Sequence, residues 1–297
     1  MTPNRRPFGI RSLTALILSL LLLSGCARQP QQPQQPQQQE QPSVSSQEET
    51  MTSVAALQTA VCRLADGSMD WHVSCTYDDR GNLTLAAMSG SDGLVLQKAE
   101  FTYDERGNIL KLTEQDVLEE TVYTYSAYGK RLTMEQGMTR TEYTYDIRGN
   151  LLIQEEFQSD ILTGHVKYLY DKAGRLLRRQ EYDSEGHAVS SVHYTYDDMG
   201  NLLEEREYDS IGIPPKVIQY TYDEMGNCLS RTSYLQSGTM EERREFSYDA
   251  QGNCLSVLCY DGRMEVLWWI EYRYQQVQVP EKNAAVFYEN RRELFGF

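Results

Sequence analysis

This sequence predicts an all-β fold, an array of β-hairpin repeats forming one long, curled antiparallel meander, and three observations lead there. The first is a phrase that recurs every twenty-odd residues: Tyr77-Asp-Asp-Arg-Gly-Asn82, Tyr103-Asp-Glu-Arg-Gly-Asn108 and Tyr145-Asp-Ile-Arg-Gly-Asn150. It continues as Tyr170-Asp-Lys-Ala-Gly174, Tyr196-Asp-Asp-Met-Gly-Asn201, Tyr222-Asp-Glu-Met-Gly-Asn227 and Tyr248-Asp-Ala-Gln-Gly-Asn253. The last spacings are 26 residues each (170 to 196, 196 to 222, 222 to 248), and a fixed period decides the architecture of the chain. The second observation is alternation. Val192, Tyr194 and Tyr196 interleave with Ser191, His193 and Thr195, the period-two pattern of a half-buried strand. The third is turn chemistry: Asp197 accepts N–H bonds from the turn it opens, and Gly200 supplies the positive φ needed to re-enter a strand.

Of the 297 residues, 1–25 stand apart. Arg5, Arg6 and Arg11 precede the apolar run Leu13 to Leu23, which is the layout of a secretory signal and short for a membrane span. Residues 26–50 form a Gln/Pro-rich tether. With almost nothing apolar to offset chain entropy it is expected to be disordered, and it reaches about 70 Å when stretched. Residues 51–70 are a lead-in, where Val54, Leu57 and Val61 suit a short helix or a first strand.

The repeats fill residues 71–274. Each unit holds a second turn, as at Asp209-Ser210-Ile211-Gly212, and so consists of two strands of about eight residues joined by tight turns. In the returning strand, Leu202 and Tyr208 are expected on one face. Roughly sixteen strands result, too many to stay flat. Residues 275–297 read as a C-terminal cap, with Phe287, Leu294, Phe295 and Phe297 available to cover an open sheet edge.

The phrase Tyr-Asp-x-x-Gly-Asn/Arg-Leu resembles the YD, or Rhs, repeat of bacterial surface and toxin-delivery proteins and animal teneurins. Tyr170-Asp171-Lys172-Ala173-Gly174-Arg175-Leu176 fits the common Rhs form, and most other copies carry Asn in place of its Arg. The resemblance covers about residues 71–274 and implies a wound β-sheet shell, here a partial one because the copies are few. No trailing toxin domain follows, so toxin packaging is not carried over. A second, local resemblance is to the lipobox of bacterial lipoproteins, in Leu23-Ser24-Gly25-Cys26. It implies cleavage between Gly25 and Cys26, lipid attachment at Cys26 and a stable anchor on the extracytoplasmic face of the cell membrane.

Without the three arginines of the signal, 25 basic residues face 43 acidic ones, a net charge of −18. Such a field repels phosphate polymers and argues against nucleic acid as a partner. The repeated Asp78, Asp104, Asp146, Asp171, Asp197, Asp223 and Asp249 should line one rim as turn formers. At about 10 Å apart they are too distant to share a calcium ion. Cys228 and Cys254 occupy the same slot in successive units, about 9.6 Å apart and beyond disulfide reach. Cys62 and Cys75 flank the turn-like Asp66-Gly67-Ser68, and whether they are bridged stays open.

The tyrosines of the Tyr-x-Tyr positions suit a cross-strand ladder better than a glycan platform. Trp268 and Trp269 are the binding candidates; as strand neighbours, one should be buried and the other face solvent. The pairs Glu204-Glu205 and Glu241-Glu242 read as strand-surface charges, and His72, His165, His187 and His193 lack metal spacing. No phosphate loop or nucleophile elbow occurs. The expectation is therefore a non-catalytic binding or adhesion surface for a protein or glycan, needing no cofactor or metal and held to the membrane by its lipid. The alternatives are a structural or assembly component of an envelope or secretion system and, more weakly, a hydrolase assembled only in three dimensions.

Overall fold

The structure, a computed structural model, describes residues 50–210 and 215–287; the expected signal, the Cys26 lipobox and the tether lie outside the described residues. Eighteen strands follow one another, starting with β1 (Met51–Leu64), β2 (Met69–Tyr77), β3 (Leu83–Gly90), β4 (Val95–Tyr103), β5 (Ile109–Glu114) and β6 (Thr121–Tyr125). Next come β7 (Arg131–Gln136), β8 (Thr139–Tyr145), β9 (Leu151–Gln158), β10 (Ile161–Tyr170), β11 (Leu176–Asp183) and β12 (Ala188–Tyr196). The last are β13 (Leu202–Asp209), β14 (Lys216–Tyr222), β15 (Cys228–Tyr234), β16 (Met240–Tyr248), β17 (Cys254–Asp261) and β18 (Val266–Pro280).

Each strand pairs antiparallel with the next in sequence, so the hairpin meander is as expected. The sheet is not an open, partial shell, however. Residues 51–64 take the strand option, and β1 pairs with β18 from Met51 opposite Pro280 to Leu64 opposite Trp268, which closes the ring. Closure removes both sheet edges, the hazard of any long meander. With both edges paired no open edge of the expected kind remains, and Leu294, Phe295 and Phe297 of the expected cap lie outside the described residues. Instead β18 outruns the rim that carries the Tyr-Asp turns and folds across it. Asn283 Nδ2 donates to the Glu105 carbonyl at 3.4 Å, and a side chain on Gly81 (φ +77°) would meet Val279 at 2.7 Å.

The buried face of the strands points into the ring. Its apolar core lies on the side formed by β1–β5 and β14–β18, where Leu57, Val73, Phe101, Val257, Trp268 and Ile270 are buried. A β-bulge recurs beside the Tyr-Asp turns. Thr195 pairs with Glu204 but Tyr196 with Leu202, leaving Leu203 as the extra residue. Leu202 thus faces inward with Tyr196, whereas Tyr208, opposite Ser191, emerges on the outer face. The expectation that Leu202 and Tyr208 share a face fails because the bulge inverts the alternation between them. The equivalent extra leucines are exposed around the barrel: Leu110, Leu177, Leu203, Leu229 and Leu255, at 37–43%.

Candidate functional site

The repeated aspartates are consumed by their own turns. Asp197 Oδ1 accepts the N–H groups of Met199 (2.9 Å) and Asn201 (2.8 Å), and Oδ2 accepts Asn201 Nδ2 (2.8 Å). The same bonds recur at Asp78, Asp104, Asp146 and Asp223. The Asn227 amide, opposed by partial desolvation and helped by the N–H groups of Asn227 and Met225, holds the Asp223 carboxyl below its ordinary range. Among the described residues no group of carboxylate, histidine and cysteine side chains could hold a metal ion.

The tyrosines tie one unit to the next. Tyr103, Tyr196 and Tyr222 each donate a hydrogen bond of 2.7–2.8 Å to the carbonyl of the residue after the preceding turn: Leu83, Leu176 and Leu202. Tyr77 and Tyr274 extend this ladder to Leu57 and Cys254. The unit that carries Arg175 in place of Asn uses it twice. Its Nε donates to Asp171 Oδ2 at 2.7 Å, and its Nη1 donates to the Asp197 carbonyl of the following turn at 3.3 Å.

The interior beside β11 and β13 carries charged side chains, which sequence reasoning missed. Glu205 is inward, opposite Tyr194 and Ile218, and accepts a 2.7 Å bond from the Tyr220 hydroxyl. Burial raises its carboxyl above the ordinary range, although Tyr220 and the nearby Arg231 favour the charged form. Period-two alternation was the available signal: of two adjacent glutamates in a strand, one must face in. Nearby, Arg179 pairs with Glu181 at 2.5 Å, and Ser190 donates to Glu181 at 2.6 Å. Beyond this pair a cleft of about 390 Å³ opens between Arg179, Glu181, Glu207, Tyr208, Lys216 and Gln236. Glu242 repeats the pattern, bound to the largely buried Arg244 at 2.6 Å rather than solvated on the surface.

Cys62 and Cys75 are both buried free thiols. Cys62 lies opposite Trp71 on β2, four positions short of Cys75, so the two do not face each other. Burial pushes both thiols up to about 12, which suppresses the reactive thiolate. Cys254 is also free, so it is not bridged to Cys228, as the repeat spacing requires. Of the tryptophans, Trp268 is buried inside with the Arg244 guanidinium 5.6 Å from its ring centre, and Trp269 is half-buried on the opposite face beside Arg63 and Leu258.

No helix among the described residues is long and apolar enough to cross a membrane. A family model described as the teneurin YD-shell matches residues 50–226. No curated protein matches. Among solved structures, the TcdB2-TccC3-Cdc42 crystal structure is similar at 15% identity over 65% of this chain and 14% of that one, with a TM-score of 0.31. This chain thus spans a small part of that protein. A porin-like protein from Bacteroides uniformis is similar at 11% identity over 74% of this chain and 98% of that one, with a TM-score of 0.45.

Proposed function

Since this chain belongs to the teneurin YD-shell family, we propose that it is a lipid-anchored shell whose outer wall is a non-catalytic binding surface for a protein or glycan at the bacterial envelope. The observation that carries the reading is a division of labour within the repeat. Its Tyr, Asp, Gly and Asn are occupied in ladder and turn bonds. The outward residue three before the ladder tyrosine is free to differ: Ser74, Glu100, Val122, Glu142, Lys167, His193, Gln219 and Glu245. A closed ring displays these positions side by side around its circumference.

The basic residues of the outer wall argue for attachment by a tether rather than by the wall. Lys or Arg facing lipid costs about 2–4 kcal/mol at the bilayer midplane. The wall carries Lys111, Lys167, Arg178, Arg206 and Arg243 in mid-strand. Lipidation at Cys26, with residues 27–50 as the spacer, meets that need. The test is labelled-palmitate incorporation in the wild type and in Cys26→Ser, with protease digestion of intact cells or spheroplasts. Label is expected only in the wild type, whose shell is digested from outside. A labelled Cys26→Ser variant refutes the anchor, and a protease-protected shell refutes its exposure. Photo-crosslinking from Trp269 and Lys167 on living cells should capture an envelope protein or glycan, and capture of nothing refutes the binding reading.

A further inference from the structure

The outer wall between β10 and β13 departs from the rest of the molecule. Arg178, His193 and Arg206 are direct cross-strand partners on β11, β12 and β13, and all three are exposed. Lys167 on β10 is the diagonal neighbour of Arg178, two residues from its partner Leu169 and so about 7–8 Å away, with its ammonium 4.9 Å from the Tyr182 ring centre. In a chain of net charge −15 this line of bases is not a by-product of composition. The acids within reach are few: Glu204 binds Arg206 at 2.5 Å, and Glu155 stands opposite His165. Among the described residues, neither Lys167 nor Arg178 has a carboxylate at ion-pair distance. Partial burial and then the charge of Arg178 lower the affinity of His193 for a proton.

The repeat supplies its own control. At the slot of Lys167 and His193, other units place Glu100, Glu142, Glu245 and Glu271. Each of these acids sits against a base: Lys98, Arg140, Arg243 and Arg63 respectively. Of two successive units, one therefore reverses the charge of this position with Lys167 and the next removes the acid with His193, and neither keeps the acid–base pair. Beside the basic line runs a second row of outward partners across the same four strands: Lys167, Gln180, Ser191 and Tyr208. It offers an amide, a hydroxyl and a half-buried aromatic ring, groups suited to sugar hydroxyls and a sugar face.

We propose that the outer face of β10–β13 binds an acidic oligosaccharide with a carboxylate on successive sugars, laid across the strands. The proposal rests on the surface-binding reading above and names its site and ligand class. Strands are about 4.8 Å apart, close to the length of one sugar residue, so successive carboxylates meet successive basic side chains. An extended acidic peptide returns to the same side only every ~6.8 Å, which fits this spacing less well. Arg178 and Arg206 donate bidentately to carboxylates, while Gln180 and Ser191 bind hydroxyls.

The test is calorimetric titration of the full chain in detergent with hexagalacturonate, with cellohexaose and hexaglutamate as the neutral and peptide probes. Hexagalacturonate should bind, and the other two should bind at least tenfold more weakly. Lys167→Glu installs the residue present at the same slot in β8, and Arg178→Gln removes a second base. Each should weaken binding about tenfold, while Lys111→Gln on the far wall should not. Circular dichroism confirms that each variant is folded, and Arg178→Gln alone suffices if Lys167→Glu is not. No binding of hexagalacturonate, equal binding of hexaglutamate, or unchanged affinity in the folded variants overturns the proposal. Capture of an envelope protein by crosslinking together with a silent titration would sink this inference while leaving the binding function standing.

Discussion

A closed meander makes a parity prediction that an open one does not. Deleting residues 196–221 joins Thr195 to Tyr222 and removes one whole unit, taking away β13, β14 and one Tyr-Asp turn. Two strands are lost, the direction of every later strand is kept, and β18 still meets β1 antiparallel. The new neighbours are matched as well, because Arg231, which faces Tyr220 in the intact barrel, would face Tyr194 at the same repeat position. The circumference shrinks by about 9.6 Å. Deleting only residues 196–208 removes one strand and inverts all that follow, so β18 arrives parallel to β1. The closing ladder of 13 register pairs then cannot form. At about 1 kcal/mol per hydrogen bond, a loss of roughly a dozen bonds matches the entire stability of a typical domain, ~5–15 kcal/mol. The buried Leu57, Ala60, Cys62 and Ile270 would also lose their cover. Urea titration followed by far-ultraviolet circular dichroism and size-exclusion chromatography reads the outcome. The whole-unit deletion should unfold in one cooperative transition at a somewhat lower midpoint, and the half-unit deletion should aggregate or lack a transition. Equal behaviour of the two variants would refute ring closure through β1 and β18.

Two further outcomes follow from single side chains. Tyr222→Phe removes the 2.8 Å bond to the Leu202 carbonyl and should cost about 1 kcal/mol in urea titration; an unchanged midpoint would show that the ladder holds by ring packing alone. Glu205→Gln tests the buried carboxyl, whose folded affinity for protons is raised above the unfolded value of about 4.3. Its contribution is full below that value and is lost as pH rises through the folded pKa, so the variant should gain stability relative to wild type across that window. A wild-type-minus-variant difference that is flat with pH would refute the assignment.

The fold was legible where physics is local. The turn phrase and the alternation around Tyr194 each act within one hairpin, and the structure realises both. Closure was not legible, because Met51–Leu64 carries no turn phrase and its partner lies more than two hundred residues away, at Trp268 to Pro280. The faces of Tyr208 and Glu205 were misjudged for different reasons. A bulge at Leu203 inverts the first, and the second is an acid whose burial depends on Tyr220 and Arg231 from two later strands. The basic line of Arg178, His193 and Arg206 was equally hidden, since 28 residues of sequence separate side chains that are neighbours in space.

The pairing of β1 with β18 also sets the order in which the barrel can form. Hydrogen bonds between Ser53 and Gln276 and between Thr50 and Glu281 span separations of 223 and 231 residues, whereas each hairpin closes over a few. Hairpins therefore form in microseconds as the chain emerges, and the joining of first to last strand waits for synthesis of the C-terminus. Throughout that interval the growing sheet exposes two unpaired edges, one of them β1 with the apolar stretch Val54 to Leu57. An incomplete chain is thus an adhesive one, and truncation near the C-terminus should yield aggregates rather than a smaller barrel.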